Sequence, residues 1–313
     1  HASPISVVAR EGREIRARVS DPDSSRWPIV EDLRAEGVTD YIALPIKFID
    51  GSAHTTSWTT KQEGGFTDEQ IAALRSIIAP LSRLVEVVGL RRVATTLLDT
   101  YVGNRAGEKI LAGQIRRGHA ENMNAAIWLS DLRGFTALSD RLPPETVVDI
   151  LNLYFDCQVA AIKAHGGEVL KYMGDGLLAV FPIDEYVGDS DEVCAHALEA
   201  ARKTRAAVDA MQYSIGDTIE RFRFGVALHV GPILYGNIGG GSRLDFTCIG
   251  PAVNLAARLE KLTGKLGRTI VASEGFAGIC AGDWRDLGEF PIAGFARAQR
   301  VYGLLDEDAV AAA

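Results

Sequence analysis

The chain has 313 residues, a formal net charge of −8 and a hydrophobic fraction of 47%. That length suits two domains, and that composition belongs to a globular protein able to bury a core without disulfide or metal staples. An acidic balance with no dense Lys/Arg block argues against nucleic acid as the partner, and no apolar run is long enough for a membrane span.

Four scattered cysteines (Cys157, Cys194, Cys248, Cys280) have no C-x-x-C spacing. They read as reduced thiols in a cytoplasmic protein and argue against structural zinc. No signal peptide is visible.

In chain order, residues 1 to about 65 read as short strands. "ISVVAR", "EIRARV" and "YIALPIKFI" are separated by the turn clusters "DPDSS" and "DGS". A helix follows, opened by the capping-box pair Thr67 and Gln70, with Asp68 and Glu69 in its first turn. Ile71, Leu74, Ile78, Leu81, Val85 and Val88 form an apolar seam at spacings of three and four, and Pro80 is expected to kink it. Such a seam packs on its own domain or forms a dimer as a signalling helix. Residues 89–118 read as a Gly-punctuated helical connector, and a domain boundary is placed near residue 119.

Strand and helix signals then alternate. "AAIWLSD" is a strand, and "PPETVVDILNLYFDCQVAAIKAHGG" is a helix stopped by two glycines. "EVLKYM" and "LLAVF" are strands about the tight turn Gly174-Asp175-Gly176. "DEVCAHALEAARKTRAAVDAMQ" is a helix, "RFRFGVALHVG" and "RLDFTCIG" are strands, and "PAVNLAARLEKL" is a helix. "TIVAS" and "RVYGLL" add small edge strands. The order βααββαβ predicts an α/β (α+β) ferredoxin-like sandwich with extra edge strands, behind a smaller N-terminal α/β domain. The Gly-rich run 236–241 reads as a turn between strands. It does not open a helix, so it is no dinucleotide fingerprint.

Two acids stand out by position. Asp131 ends the first strand of the sandwich and Asp175 tips the hairpin of the next two, so the carboxylates can converge at one sheet edge. Hard divalent ions take a few carboxylates plus substrate phosphates, and this is the plan of two-metal phosphoryl transfer. Asp131 taken alone reads first as a cap of the following helix, and Asp175 beside it favours the metal reading. Leu132-Arg133-Gly134-Phe135-Thr136 opens that helix, and the N–H groups near Gly134, Phe135 and Thr136 suit phosphates. Pro251 fits the first position of another helix, on which Asn254 and Arg258 lie four apart on one face. Asn can orient a sugar and Arg can stabilise charge growing on phosphate, although a solvated polar pair is the commoner origin of such spacing.

"LSDLRGFTALSD", "EVLKYMGDGLLAVF" and "IGPAVNLAARLE" together resemble the three landmarks of class III nucleotidyl cyclase domains, over roughly residues 120–305. The resemblance implies a homodimer with two interfacial sites, each with two Mg²⁺ or Mn²⁺ ions. One chain would supply Asp131, Asp175 and the Leu132 carbonyl. The other would supply Asn254, Arg258 and the purine-reading pair, here Lys171 and Thr247. Lys171 is of the adenylate type, and a Thr hydroxyl can accept from the adenine amino group while Lys donates to N1. ATP is therefore the expected substrate and GTP is disfavoured. The Lys/Thr pair is similar to the subclass that bicarbonate often stimulates, so bicarbonate or a small molecule is the expected regulator. Ala293 stands where many relatives carry a triphosphate-binding Lys, with Arg297 and Arg300 nearby.

"DYIALPIKFIDG…WTT…GGFTDEQIAALRSIIAPLSRLVE" resembles the C-terminal half of a GAF-type sensor. The expected domains are thus a partial sensor (1–88), a transducer (89–118) and a cyclase domain (119–313). The expected activity is ATP to cyclic AMP and pyrophosphate. A non-catalytic nucleotide-binding regulator and a guanylate cyclase are the alternatives. A diguanylate cyclase is disfavoured, because its usual acidic Gly-Gly-Asp/Glu-Glu-Phe hairpin is here Met173-Gly174-Asp175-Gly176.

Overall fold

The protein is described by a computed structural model covering residues 3–183, 189–215, 218–240 and 243–307. It divides into two compact units, His1–Thr96 and Leu97–Ala313.

The first unit opens with a correction. "ISVVAR" lies in helix α1 (Pro4–Glu11), capped by the Ser3 hydroxyl, started by Pro4 and stopped by Gly12 at φ +65°. Its buried residues Pro4, Val7 and Val8 follow helical spacing, which overrides the β-type composition. Strands β1 (Ile15–Arg18), β2 (Asp40–Lys47) and β3 (Ala53–Thr60) form an antiparallel sheet in that order, and helix α2 (Ile29–Ala35) lies between β1 and β2.

Helix α3 (Asp68–Tyr101) starts at the expected capping box: Thr67 N–H donates to Gln70 Oε1 at 2.9 Å, and Gln70 N–H donates to the Thr67 hydroxyl at 3.2 Å. It is unbroken through Pro80. The first half of its seam, Ile71, Leu74 and Ile78, packs on Ile42 and Leu44 of β2, whereas Val85 and Val88 are exposed.

The second unit contains helix α4 (Asn104–Leu111) and an eight-stranded sheet. Its central run is β4 (Ala120–Leu132), helices α5 (Phe135–Ser139) and α6 (Pro144–Ala164), then β5 (Glu168–Met173), β6 (Gly176–Ile183) and helix α7 (Ser190–Asp209). A two-stranded ribbon of β7 (Gln212–Ile215) and β8 (Thr218–Arg221) follows. Then come β9 (Phe224–Gly240), β10 (Arg243–Ile249), helix α8 (Pro251–Leu266), β11 (Ile270–Ser273), helix α9 (Glu274–Ile279), β12 (Trp284–Phe290) and β13 (Gln299–Leu304). The order β9-β4-β6-β5 with all neighbours antiparallel is the ferredoxin-like sheet, and β11, β13 and β12 extend it beyond β9.

β4 shows why its sequence is a continuous apolar run. Ala126 and Trp128 face the core under α6 and α7, with Phe181, Tyr154 and Ile162. Ala125, Ile127 and Leu129 face the other core, with Ala252 and Ala256 of α8 and Ala106 of α4. A strand buried on both faces needs no polar alternation.

Two further expectations change. The "TIVAS" and "RVYGLL" strands, β11 and β13, are interior, and the edge is β12, whose mostly polar sequence gave little apolar signal. Residues 236–240 of the Gly-rich run belong to β9, and 241 lies outside the described residues. Gly236 pairs with Ala120, and a Cβ there would sit 2.5 Å from the Ala120 Cα, so glycine permits the close approach of β4. Among the described residues no helix is long and apolar enough to cross a membrane.

Candidate active site

The end of β4 and the β5–β6 turn bring two carboxylates together. Ser130 pairs with Leu177 of β6, which sets the next residue, Asp131, beside Gly176 and the turn residue Asp175. A Cβ on Gly176 would lie 3.0 Å from the Ser130 carbonyl oxygen and 3.3 Å from Asp131 Oδ1, so glycine leaves room for the carboxylate. Asp131 is partly buried, and burial, the charge of Asp175 and a hydrogen bond with it push its carboxyl up to about 6. Two carboxylates brought this close form a site of excess negative charge that a hard cation would relieve.

Beneath this pair, the Ser130 hydroxyl donates to Gln158 Oε1 of α6 at 2.5 Å, which ties the end of β4 to the helix. Leu132 closes the strand with its side chain buried. The chain then turns through Gly134 at φ +75°, a left-handed conformation that suits glycine, into the short helix α5. Phe135 is half-buried, and Gly134 and Thr136 are exposed. The Arg133 backbone N–H donates to the Arg223 carbonyl at 2.7 Å, and its guanidinium donates to the Arg268 carbonyl, which fixes the loop against the starts of β9 and β11.

Lys171 lies on β5 and Thr247 on β10, and the two strands meet. The Lys171 ammonium forms an ion pair with Asp245 of β10. Residues two apart on a strand share a face, so Asp245 and Thr247 point the same way, while Phe246 and Cys248 are buried on the other. Sequence reasoning missed Asp245. The signal was available in the i, i+2 spacing to Thr247, but no motif marks it.

Asn254 and Arg258 are exposed on one face of α8, whose other face buries Ala252, Leu255, Ala256 and Leu259. Gly250 and Pro251 start that helix as expected. Within one chain, the charge of Lys261 on α8 acts on Asp131 and lowers its carboxyl. Glu260 is a second residue the sequence did not flag. It is 8% exposed, and burial together with the charges of Asp131 and Asp175 raises its carboxyl to about 7. One chain thus gathers the two acids in one place and leaves Asn254 and Arg258 exposed on α8. Ala293 is exposed, Arg300 is engaged with Glu289 at 3.1 Å and Asp286 at 3.7 Å, and Arg297 is exposed.

Known proteins share this architecture. An adenylate cyclase of Anabaena cylindrica is 31% identical over 217 residues, covering 66% of this chain and 41% of that protein. The chain therefore spans about two-fifths of that relative's length. A solved structure of a bacterial light-regulated adenylyl cyclase is 25% identical, with a TM-score of 0.59 over 74% of this chain and 65% of that one. A second such structure, at 20% identity and TM-score 0.59, matches the fold over 94% of this chain and 93% of its own. The family model for the adenylate and guanylate cyclase catalytic domain matches residues 119–279, over half of the chain, and the chain belongs to that family.

Proposed function

We propose that the protein is an adenylate cyclase that converts ATP to 3′,5′-cyclic AMP and pyrophosphate at sites shared between two copies of the chain. The observation that carries this reading is the convergence of Asp131 and Asp175 at the β4 end, with Lys171 four residues before Asp175 on the adjoining strand. The two acids, with the Leu132 carbonyl, suit two Mg²⁺ or Mn²⁺ ions. When bound, these would supply positive charge for the triphosphate and acidify the attacking hydroxyl. Their chemistry fits: only oxygen donors, a shared excess of negative charge, and a glycine in place of a competing side chain.

The ribose 3′-oxygen attacks the α-phosphorus in line. Its proton leaves to an Asp131 carboxylate or to water, and the bond to pyrophosphate breaks. Gly134, Phe135 and Thr136 present backbone N–H groups to the phosphates. Arg258 stabilises charge growing on the transferred phosphoryl group, and Asn254 orients the ribose. Lys171 donates to adenine N1 and Thr247 accepts from the amino group, with Asp245 steering the ammonium. Residues 1–88 act as a GAF-like sensor, 89–118 as the transducer and 119–313 as the catalytic domain, with bicarbonate or another small molecule as regulator.

The test is turnover of ATP and of GTP by the purified chain, in Mg²⁺ and then Mn²⁺, with cyclic product and pyrophosphate both measured. Cyclic AMP formed faster than cyclic GMP supports the reading. Preference for GTP would make the protein a guanylate cyclase. Nucleotide binding without turnover in either metal would make it a regulator, a reading that the exposed Ala293 favours.

A further inference from the structure

The segment between α3 and β4 is fastened to the strand that carries Lys171. α3 ends at Tyr101, Gly103 turns the chain at φ +87°, and α4 begins at Asn104. A Cβ on Gly103 would lie 3.2 Å from Glu168 Oε1 and 3.5 Å from the Val169 carbonyl oxygen, so this turn sits directly on β5. Glu168, the first residue of β5, accepts from the Arg105 backbone N–H at 3.1 Å. The first turn of α4 has no side-chain cap from its own N-cap residue, Gly103, and Glu168 fills that role from across the chain.

The elbow itself is stiff. Gly107 of α4 packs against α3 so closely that a Cβ would be 3.1 Å from Leu98 Cβ and 3.2 Å from Asp99 Oδ1. The Asn104 amide donates to the Asp99 carboxylate. Ala106, buried, together with Val102 and Ile110, enters the core that also holds Leu170 and Leu178. Three residues along β5 from Glu168, past an irregularity in its pairing between Val169 and Lys171, comes Lys171, and Asp175 follows in the turn.

We propose that Glu168 is a positioning residue: by capping α4 it locks the α3–α4 elbow to β5, and so sets where Lys171 and Asp175 stand. Displacement of the elbow is then delivered along one strand to the purine-reading Lys171 of one shared site and to the acid Asp175 of the other. This rests on the reading of that site as a nucleotide cyclase. Its chemistry requires an acceptor at residue 168 and no charge, because the partner is a backbone N–H.

The experiment compares wild type, Glu168→Ala, Glu168→Gln and Glu121→Ala for kcat, KM and Tm with the better nucleotide. Glu121 is ion-paired to Lys109 of the same helix but lies on β4, and it controls for loosening of α4 in general. Glu168→Ala is expected to raise KM and lower kcat, together costing about tenfold in kcat/KM, the scale of one lost hydrogen bond. Glu168→Gln keeps the acceptor and is expected to restore both to within about twofold, and Glu121→Ala to leave both at the wild-type level. Hydrogen exchange at the Lys171–Met173 amides is expected to quicken in Glu168→Ala alone, a readout that does not depend on turnover. Unchanged kinetics and exchange in Glu168→Ala, equal losses in Glu121→Ala, or failure of Gln to rescue would each overturn the proposal. An inactive wild type would instead overturn the cyclase reading, while the exchange comparison would still decide the role of Glu168.

Discussion

At the scale of single residues, the site is built from groups that are awkward without a ligand. Asp131 and Asp175 face each other at a partly buried strand end, which costs folding energy while no cation is present. Asp131→Asn removes that repulsion. It is therefore expected to raise Tm by a few degrees in EDTA and to abolish turnover in Mg²⁺, and thermal melts with and without metal check this. A second residue sets a pH dependence away from the site. His229 of β9 is largely buried, with Nδ1 2.7 Å from the Ser273 hydroxyl that caps α9, and burial lowers its pKa from 6.5 to about 4. The folded chain then binds fewer protons than the unfolded chain between these values. Stability is complete above pH 6.5 and is lost as pH falls through about 4. Denaturant titration at pH 5 against pH 7.5 is expected to show a loss of about 2 kcal/mol from this histidine. The loss should shrink in His229→Gln, whatever that variant's own stability.

At the scale of elements, the packing of α8 on β9 decides where Asn254 and Arg258 stand. Gly225 of β9 pairs with Asp131 of β4, and a Cβ at Gly225 would lie 2.8 Å from Thr263 Cβ of α8. Thr263 is itself buried and its hydroxyl donates to the Glu260 carbonyl at 2.7 Å, so it has little room to yield. Gly225→Ala is expected to cost about 1–3 kcal/mol of stability and to lower kcat, since it pushes α8, which carries Asn254 and Arg258, off the sheet that carries Asp131; denaturation and steady-state kinetics on the same preparation check both. Such close approaches are hard to read in a sequence, where Gly225 is one glycine within "RFRFGVALHVG". The sequence did disclose the elements that have a strong period or a cap. The box at Thr67 and Gln70, the Gly-Pro start of α8 and the order of β4, β5, β6 and β9 all stand as expected. It misled where composition and period disagree, as at "ISVVAR", and where an edge strand is polar, as at β12. Asp245 and Glu260 escaped notice because their roles come from which strand or helix face they oppose across the chain.

At the scale of the whole molecule, the proposed division of the site predicts how defective chains behave when mixed. Within one chain Asp131 and Asp175 lie together, Asn254 and Arg258 are exposed on α8, and the charge of Lys261 on α8 acts on Asp131. If each site takes its acids from one copy and its Arg from the other, a twofold dimer holds two equivalent sites. An Asp131→Ala homodimer and an Arg258→Ala homodimer are then both inactive. In a heterodimer the two defects fall into one site, and the other site is intact. Random exchange of equal amounts makes half of the dimers heterodimers, each with one working site of two, so about a quarter of wild-type activity returns. Co-refolding or co-expression of the two variants, followed by a cyclic AMP assay and a molar-mass measurement, checks this. Recovery near a quarter with a dimeric mass supports the shared site. No recovery, although the heterodimer is seen to form, would place all the chemistry within single chains and remove Asn254 and Arg258 from their proposed roles.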